Sequence, residues 1–360
     1  MRELVADLPA AAGNVTGVAV AVRQDGRERL LVGGTTDRAR PRPLTGRTRF
    51  EIGSLTKTFT ALLLAEMAAR GEVDPTGPAR DHLPPGAAPG LGRGVTLERL
   101  ATHTSGLPRL APGLLRRAVP RWRTNPYRTF GPAEFADAVR RTRSGPPGRY
   151  RYSNFGGAVL GWALAEAAGR PFEDLLAARV LRPLGLADTG FDPAPQITGH
   201  LRGRPRPPWE MPGLAAAGAL RSSAADLLRF LTAHLTAHLT PDGTPLGTAL
   251  TEVARPRAAA GDHDLCLIWN LRRRADRDLL FHSGGTRGCT SFIAFSRRTG
   301  TAFVALANAG PTVGSTFVQR SYEVAWTLVE QAEVDRGTNG GTNGGYSRGV
   351  LGSTPHSARP

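Results

Sequence analysis

Short apolar runs broken by polar turns set the outline of the chain. Residues 16–22 (TGVAVAV) and 29–33 (RLLVG) flank a QDG turn and predict a β-hairpin. Residues 54–70 (SLTKTFTALLLAEMAAR) are apolar on most faces, which predicts a buried helix ended by Gly71. From about 75 to 255, Pro/Gly-punctuated segments alternate with helical patterns at 132–142, 156–168, 172–181 and 223–239, and strand character is scarce. Strand patterns return at 264–271 (DLCLIWNL), 278–282, 289–296 and 301–307 (TAFVALA), with a helix following at about 315–334. Strands, then helices, then strands predict one sheet built from both chain ends with a helical insertion. The expected division is an α/β domain from 1–75 and 256–335 and a mostly helical domain from 76–255. From Arg336 to Pro360 the chain repeats GTNG and has no periodic apolar residues, so a disordered tail is expected.

Composition adds one chemical clue. Hydrophobic residues make up 40% of the 360 and charged residues 21%, an ordinary globular balance. No apolar run approaches the ~20 residues that span a bilayer, and two cysteines make no disulfide framework. Of 46 basic residues a single one is lysine, Lys57; the other 45 are arginine. Arginine replaces lysine where only charge is needed but not where a proton must be lost, because guanidinium stays charged. Lys57 is therefore a candidate for chemistry, against the plainer reading of a surface lysine that survived by chance. The net charge of +16 comes from scattered arginines without aromatic interleaving, so no specific nucleic-acid partner and no membrane partner is expected. The first residues carry Glu3 and Asp7 and lack the apolar core of a leader, giving the expectation of a cytoplasmic protein with reduced thiols.

Three short motifs hold residues suited to nucleophilic catalysis. Ser54 and Lys57, three apart at the start of the buried helix, share a face, and burial would lower the lysine pKa so that a neutral amine can take the serine proton. Tyr152-Ser153-Asn154 follows a Gly/Pro-rich stretch; a tyrosine there can relay a proton and Asn154 can bond a substrate carbonyl or Lys57. A bland alternative makes this a turn with Asn154 capping the next helix. His282-Ser283-Gly284-Gly285 ends a strand, where glycines on an edge let a substrate backbone approach. The Gly285 N–H can pair with that of Ser54 as an oxyanion hole. An ordinary hairpin turn with a solvent-facing histidine is the alternative.

Together, in this order, Ser-x-x-Lys, Tyr-Ser-Asn and His-Ser-Gly resemble the penicillin-recognising serine hydrolases, closest to the class C β-lactamase-like branch with its carboxypeptidases, esterases and acyltransferases. Supporting segments are FEIGSLTKTFTALLL (50–64), LATHTSGLPRL (100–110), YRYSNFGGAVLG (150–161), AAGALRSSAADLLRF (216–230), FHSGGTRGCTSF (281–292) and VALANAG (304–310), so the resemblance spans about 15–330. It implies an α/β plus all-α fold, an antiparallel sheet flanked by helices, with the site in the cleft. It also implies Ser54 as nucleophile, Lys57 as its base, Tyr152 as proton shuttle and Asn154 as hydrogen-bond partner. His282 stands where many members carry lysine; a mostly neutral histidine anchors a carboxylate weakly, which favours esters, amides or acyl transfer over efficient β-lactam hydrolysis.

Other features weigh less. His103 in ATHTSGL is expected to fix a loop under the site. His234 and His238 could meet a metal at i, i+4, but no third ligand accompanies them and no metal site is assigned. Cys266 and Cys289 fall in predicted strands and read as core, Cys289 with a place at the cleft. Segments 108–130 and 195–215, with Trp122 and Trp209, read as lid loops or packing anchors. The sequence thus predicts a serine hydrolase working through a Ser54 acyl-enzyme on a small ester or amide, without cofactor. Transfer of the acyl group to an amine or alcohol is the alternative. A true β-lactamase or a silent binding protein ranks below both.

Overall fold

A computed structural model describes residues 2–119, 124–193 and 195–339. Two short helices, α1 (Arg2–Val5) and α2 (Leu8–Ala12), precede the hairpin β1 (Gly17–Gln24) and β2 (Arg27–Gly34). Its turn places Asp25 (φ 51°) and Gly26 (φ 74°) in the left-handed region, the conformation that suits the twist of a tight hairpin. The short β3 (Arg49–Glu51) and a 3-10 turn (Gly53–Leu55) lead into α3 (Thr56–Ala69). The single helix expected over 54–70 is thus a 3-10 turn followed by an α-helix. Residues 56 to 67 are all buried, as the all-round apolar pattern requires. Its hydroxyls turn inward to carbonyls, Thr56 to Gly53, Thr58 to Leu55 and Thr60 to Ala216, so burial leaves none of the three unpaired.

The middle of the chain holds α4 (Leu97–Ala101), α5 (Leu114–Ala118), α6 (Pro132–Arg141), α7 (Asn154–Ala168) and α8 (Phe172–Leu176), the last continuing into a π-turn over Ala177–Leu181. A small hairpin, β4 (His200–Leu201) and β5 (Arg204–Pro205), then α9 (Ala215–Gly218) and β6 (Arg221–Ser223), lead to α10 (Ala224–Leu239) and α11 (Pro245–Glu252). The last part supplies β7 (Ala258–Ala260), β8 (His263–Leu265), β9 (Asn270–Arg274), β10 (Arg277–Gly285), β11 (Thr290–Ser296), β12 (Thr301–Ala307) and α12 (Phe317–Asn339). The strand expected over 264–271 is split. Residues 266–269 form a tight turn in which the Cys266 N–H donates to the Trp269 carbonyl and Ile268 adopts φ 67°. Cys266 therefore lies in a connection and Cys289 just before β11, rather than within strands. The final helix continues to Asn339, past the expected end at 334 and into the segment read as tail; residues 340–360 lie outside the described residues.

Eight strands form one sheet in the order β2-β1-β12-β11-β10-β9-β8-β7, antiparallel at each pairing. The two chain ends meet at β1 and β12, in register Val20↔Ala305. Period-two alternation then separates two cores. Val18, Val20, Val22, Phe292, Phe303 and Ala305 pack beneath α2 and α12. Ala19, Ala21, Ile293, Phe295, Val304 and Leu306 face a larger core that also takes in α3, α7 and α10. α10 packs directly on β1, β11 and β12. On it His234 is buried between Phe230, Trp269 and Phe295, its Nδ1 3.0 Å from the Leu250 carbonyl, while His238 is exposed.

Asn308, fully buried after β12, fastens the start of β1. Its Oδ1 accepts the N–H groups of Thr16 (3.0 Å) and Gly17 (2.9 Å), and its Nδ2 donates to Thr16 Oγ1 (2.6 Å) and the Thr198 carbonyl (2.8 Å). Each buried donor or acceptor left without its partner costs ~1–3 kcal/mol. Asn308→Ala is therefore expected to lower stability by at least about 2 kcal/mol, read as a reduced urea midpoint at unchanged slope.

Candidate active site

The 3-10 turn delivers Ser54 to the head of α3, and Lys57 follows one turn later with its side chain fully buried. Lys57 Nζ lies 3.1 Å from Ser54 Oγ, 2.9 Å from Asn154 Oδ1 and 2.6 Å from the Ala217 carbonyl. Room for the lysine stem comes from α7, where a Cβ on Gly157 would sit 3.2 Å from Lys57 Cε. Burial, and secondarily the positive charge of Arg109, holds the Lys57 amine well below the usual lysine range. A neutral amine has two N–H groups and one lone pair. Asn154 Oδ1 and the Ala217 carbonyl can only accept, so they take both N–H groups. The lone pair is left for the Ser54 hydroxyl.

On the other side of Ser54, the Tyr152 hydroxyl donates to Ser54 Oγ at 2.6 Å. Burial pushes this phenol up to about 12, so it holds its proton at neutral pH. Its ring packs 4.5 Å from that of His103, whose Nδ1 accepts the Ser153 N–H at 3.3 Å. His103 therefore braces the loop beneath the site. Ser153, not Asn154, caps α7: its Oγ accepts the Gly156 N–H at 2.7 Å. Asn154 is the first helical residue, so its amide is free to face Lys57.

β10 brings the third motif. It is a central strand, not an edge, but β9 pairs only with residues 277–281, and the last four residues run on with a partner on the β11 side alone. His282, Ser283, Gly284 and Gly285 thus form a local edge beside the Ser54 turn. The approach is close enough to demand glycine. A Cβ on Gly284 would fall 2.1 Å from the Ile52 carbonyl oxygen and 3.0 Å from Ser54 N, and one on Gly53 (φ 50°) 2.7 Å from the Gly285 carbonyl oxygen. His282 is buried and not solvent-facing, and burial brings it down to about 3, so it is neutral.

Ser54 sits between two cavities. One, of about 280 Å³, is walled mainly by Leu110, Leu114, Leu115, Leu201, Trp209 and Met211. These residues come from the two segments expected to form lids; Trp122 lies outside the described residues. The other, of about 480 Å³, is lined by His103, Arg109, Tyr150, Tyr152 and residues 282–285. Cys266 lines this second cavity, whereas Cys289 is fully buried away from both, and burial pushes both thiols up, Cys266 to about 12. Glu51 ties the walls together. Its Oε2 accepts from Thr286 Oγ1 (2.6 Å), and its Oε1 accepts from the Trp209 N–H (2.7 Å) and Gln196 Nε2 (3.0 Å).

Four contributors escaped the sequence reading. Ala217 acts through its carbonyl, which no side-chain pattern marks. Arg109 is one arginine among 45, and Tyr127, whose hydroxyl accepts from Asn154 Nδ2 at 3.4 Å, and Glu51 belong to no motif that names them.

Comparison with known proteins identifies the family and the fold. A family model described as Beta-lactamase matches residues 1–324. The D-alanyl-D-alanine-carboxypeptidase/endopeptidase AmpH of Escherichia coli is 33% identical over 186 residues, which are 50% of this chain and 47% of that protein. The chain thus spans about half the length of the curated relative it matches. Among solved structures, a class C beta lactamase from Rhodobacter sphaeroides superposes with a TM-score of 0.77 at 22% identity, over 92% of this chain and 100% of the other. A Beta-Lactamase/D-Alanine Carboxypeptidase from Pseudomonas syringae gives 0.76 at 21%, over 92% and 99%. The fold is that of the class C enzymes, and with its model matched over nine-tenths of its length, the chain belongs to the beta-lactamase family.

Proposed function

We propose that the protein is a serine hydrolase that carries the acyl group of a small ester or amide on Ser54 Oγ. One observation supports this above the rest: a single hydroxyl lies within hydrogen-bond reach of both a buried, neutral-leaning amine and a protonated phenol. Lys57 takes the Ser54 proton as Oγ bonds to the substrate carbonyl carbon. The N–H groups of Ser54 and Gly285 receive the oxyanion. Tyr152 hands its proton to the departing oxygen or nitrogen as that bond breaks. The Lys57 ammonium, 5.0 Å from the Tyr152 ring centroid, then restores the phenol. Water attacks the Ser54 ester by the reverse sequence and releases the acid.

Direction follows from Tyr152. The leaving group must stand on the side of its proton donor, which is the larger cavity, so the apolar cavity takes the acyl group. That larger cavity is polar and open, which supports water as the second nucleophile. His282, neutral and buried, offers no ammonium to a penicillin carboxylate, so esters are preferred to β-lactams.

Exposure to an activated short ester is expected to add a transient acyl mass that Ser54→Ala abolishes, with slower or no labelling by a penicillin. Lys57→Met should slow acylation by about 10²–10⁴-fold. Equal labelling of the alanine variant would overturn the assignment, and partition of the acyl group to an added amine or alcohol in preference to water would convert the reading to acyl transfer.

The pH profile is a second test. The active form needs Lys57 unprotonated, so kcat/KM is expected to fall on acidification, with an apparent pKa well below 10.5. Since His282 titrates near 3, that limb should persist in His282→Gln. Tyr152, at about 12, should add no alkaline limb below about pH 11.

A further inference from the structure

We propose that a cavity behind α9, separate from the two beside Ser54, is a second ligand site that takes an organic ammonium ion with an apolar body, and that its occupancy speeds the chemistry at Ser54. The second half of this statement rests on the Ser54 acyl-enzyme reading; the binding itself does not.

The cavity holds about 740 Å³, room for a small organic ligand, and lies where α6, α7 and α8 meet. Phe135, Trp162 and Phe172 wall it, and two carboxylates, Glu166 and Glu173, line it against one arginine, Arg170. The two cavities beside Ser54 have the opposite sign, since each is lined by one arginine and no carboxylate. In a chain of net charge +16, a cavity in which acids outnumber bases selects for a cation. Neither acid is neutralised: among the described residues no arginine or lysine pairs with Glu166 or Glu173. Glu166 accepts instead from a neutral donor, Trp162 Nε1 at 2.8 Å, which fixes the carboxylate beside the indole and leaves its Oε2 unused. The Trp162 and Phe135 rings stand edge to face with centroids 5.7 Å apart. An alkylated ammonium is drawn both to such ring faces and to the carboxylates beside them.

The floor of this cavity is the back of the lysine site. Ala215 and Ala216 of α9 line it, whereas Ala217 and Gly218 of the same helix line the apolar cavity beside Ser54. α7 and α9 touch there so closely that a Cβ on Gly161 would fall 2.2 Å from Ala216 Cβ. The Ala216 carbonyl accepts from Thr60 Oγ1 at 2.8 Å, and the next carbonyl, that of Ala217, accepts from Lys57 Nζ at 2.6 Å. α9 is a single turn of four residues, so little besides these contacts restrains it. A ligand that fills the space behind it holds the Ala217 carbonyl against the amine. Binding and chemistry are then coupled through one short element that both sites bias.

The probe is benzyltrimethylammonium, which carries no nucleophile and so cannot accept an acyl group. Benzyl alcohol and phenylacetate are its neutral and anionic counterparts. By calorimetry the ammonium is expected to bind with a Kd about tenfold or more below that of either counterpart. The preference should vanish in Glu166→Gln/Glu173→Gln, a pair of exposed positions whose change leaves the core intact. Trp162→Ala should weaken the ammonium by about fivefold or more, and Arg170→Gln should tighten it. Equal binding of the three probes, a preference that survives the double glutamine variant, or weaker binding in Arg170→Gln overturns the site. Turnover of an activated short ester should rise by about twofold or more when the ammonium is saturating, in the wild type and not in the double variant. A fall or no change at saturation overturns the coupling to Ser54. If no ester is turned over while the ammonium binds in the pattern above, the acyl-enzyme reading fails and the second site stands.

Discussion

The arrangement depends on the burial of one amine. A charged ammonium in the interior without an anion is strongly disfavoured, and none of the three groups around Lys57 Nζ is an anion. The fold therefore presses the lysine toward its neutral form by giving it neutral acceptors. The two acceptors, Asn154 Oδ1 and the Ala217 carbonyl, come from the start of α7 and from α9, and the amine itself comes from α3, so it is also the point at which three helices are held to one another. Chemistry and packing make the same demand here: whatever keeps water from Lys57 keeps the helices together.

Around this point, hydrogen bonds that involve no reacting atom hold the cleft's shape. Ser153 caps α7 and donates to the Pro108 carbonyl at 2.6 Å, joining the tyrosine motif to the segment that carries Arg109. Ser291 Oγ donates to the Ile52 carbonyl at 2.9 Å, pinning β11 to the turn before the nucleophile. Glu51, buried one strand upstream, draws Thr286 and the Trp209 backbone to the same carboxylate. Its charge is offset by Arg221, which in turn donates to the carbonyls of Phe191 and Ala219. Buried polar groups of this kind stabilise only when each is matched, and here they determine which loops can meet across the site.

Most of the architecture was legible because its signals are local. Alternation in TGVAVAV and TAFVALA marks strands, the all-round apolar face of 56–67 marks a buried helix, and a lone lysine three residues after a serine marks an amine that lies buried beside that hydroxyl. The parts that were misread are those where tertiary contacts override local preference. CLIW has the composition of a strand and forms a turn, because Trp269 packs in the core against Phe230 and His234 of α10 and the Ile268 N–H donates to the Ala101 carbonyl instead of a neighbouring strand. Asn154 looks like a cap, yet Ser153 takes that place once Lys57 claims the amide. The contributions of Ala217 and Arg109 had no readable signature: one is a backbone oxygen, and the other is hidden in a sequence that uses arginine for almost every positive charge.

The pairing of β1 with β12 has a consequence for the life of the chain. The turn holding Ser54 is made from residues 53–55, but the strand end it leans on is made from residues 282–285, about 230 positions later. Non-local pairings of this span are slow to form and are among the last to be secured. A chain still emerging from the ribosome lacks both α11, on which α3 packs, and the wall opposite Ser54. The surroundings of Ser54 are thus complete only once the C-terminal third arrives, and the geometry at that hydroxyl becomes a report that the whole molecule has folded.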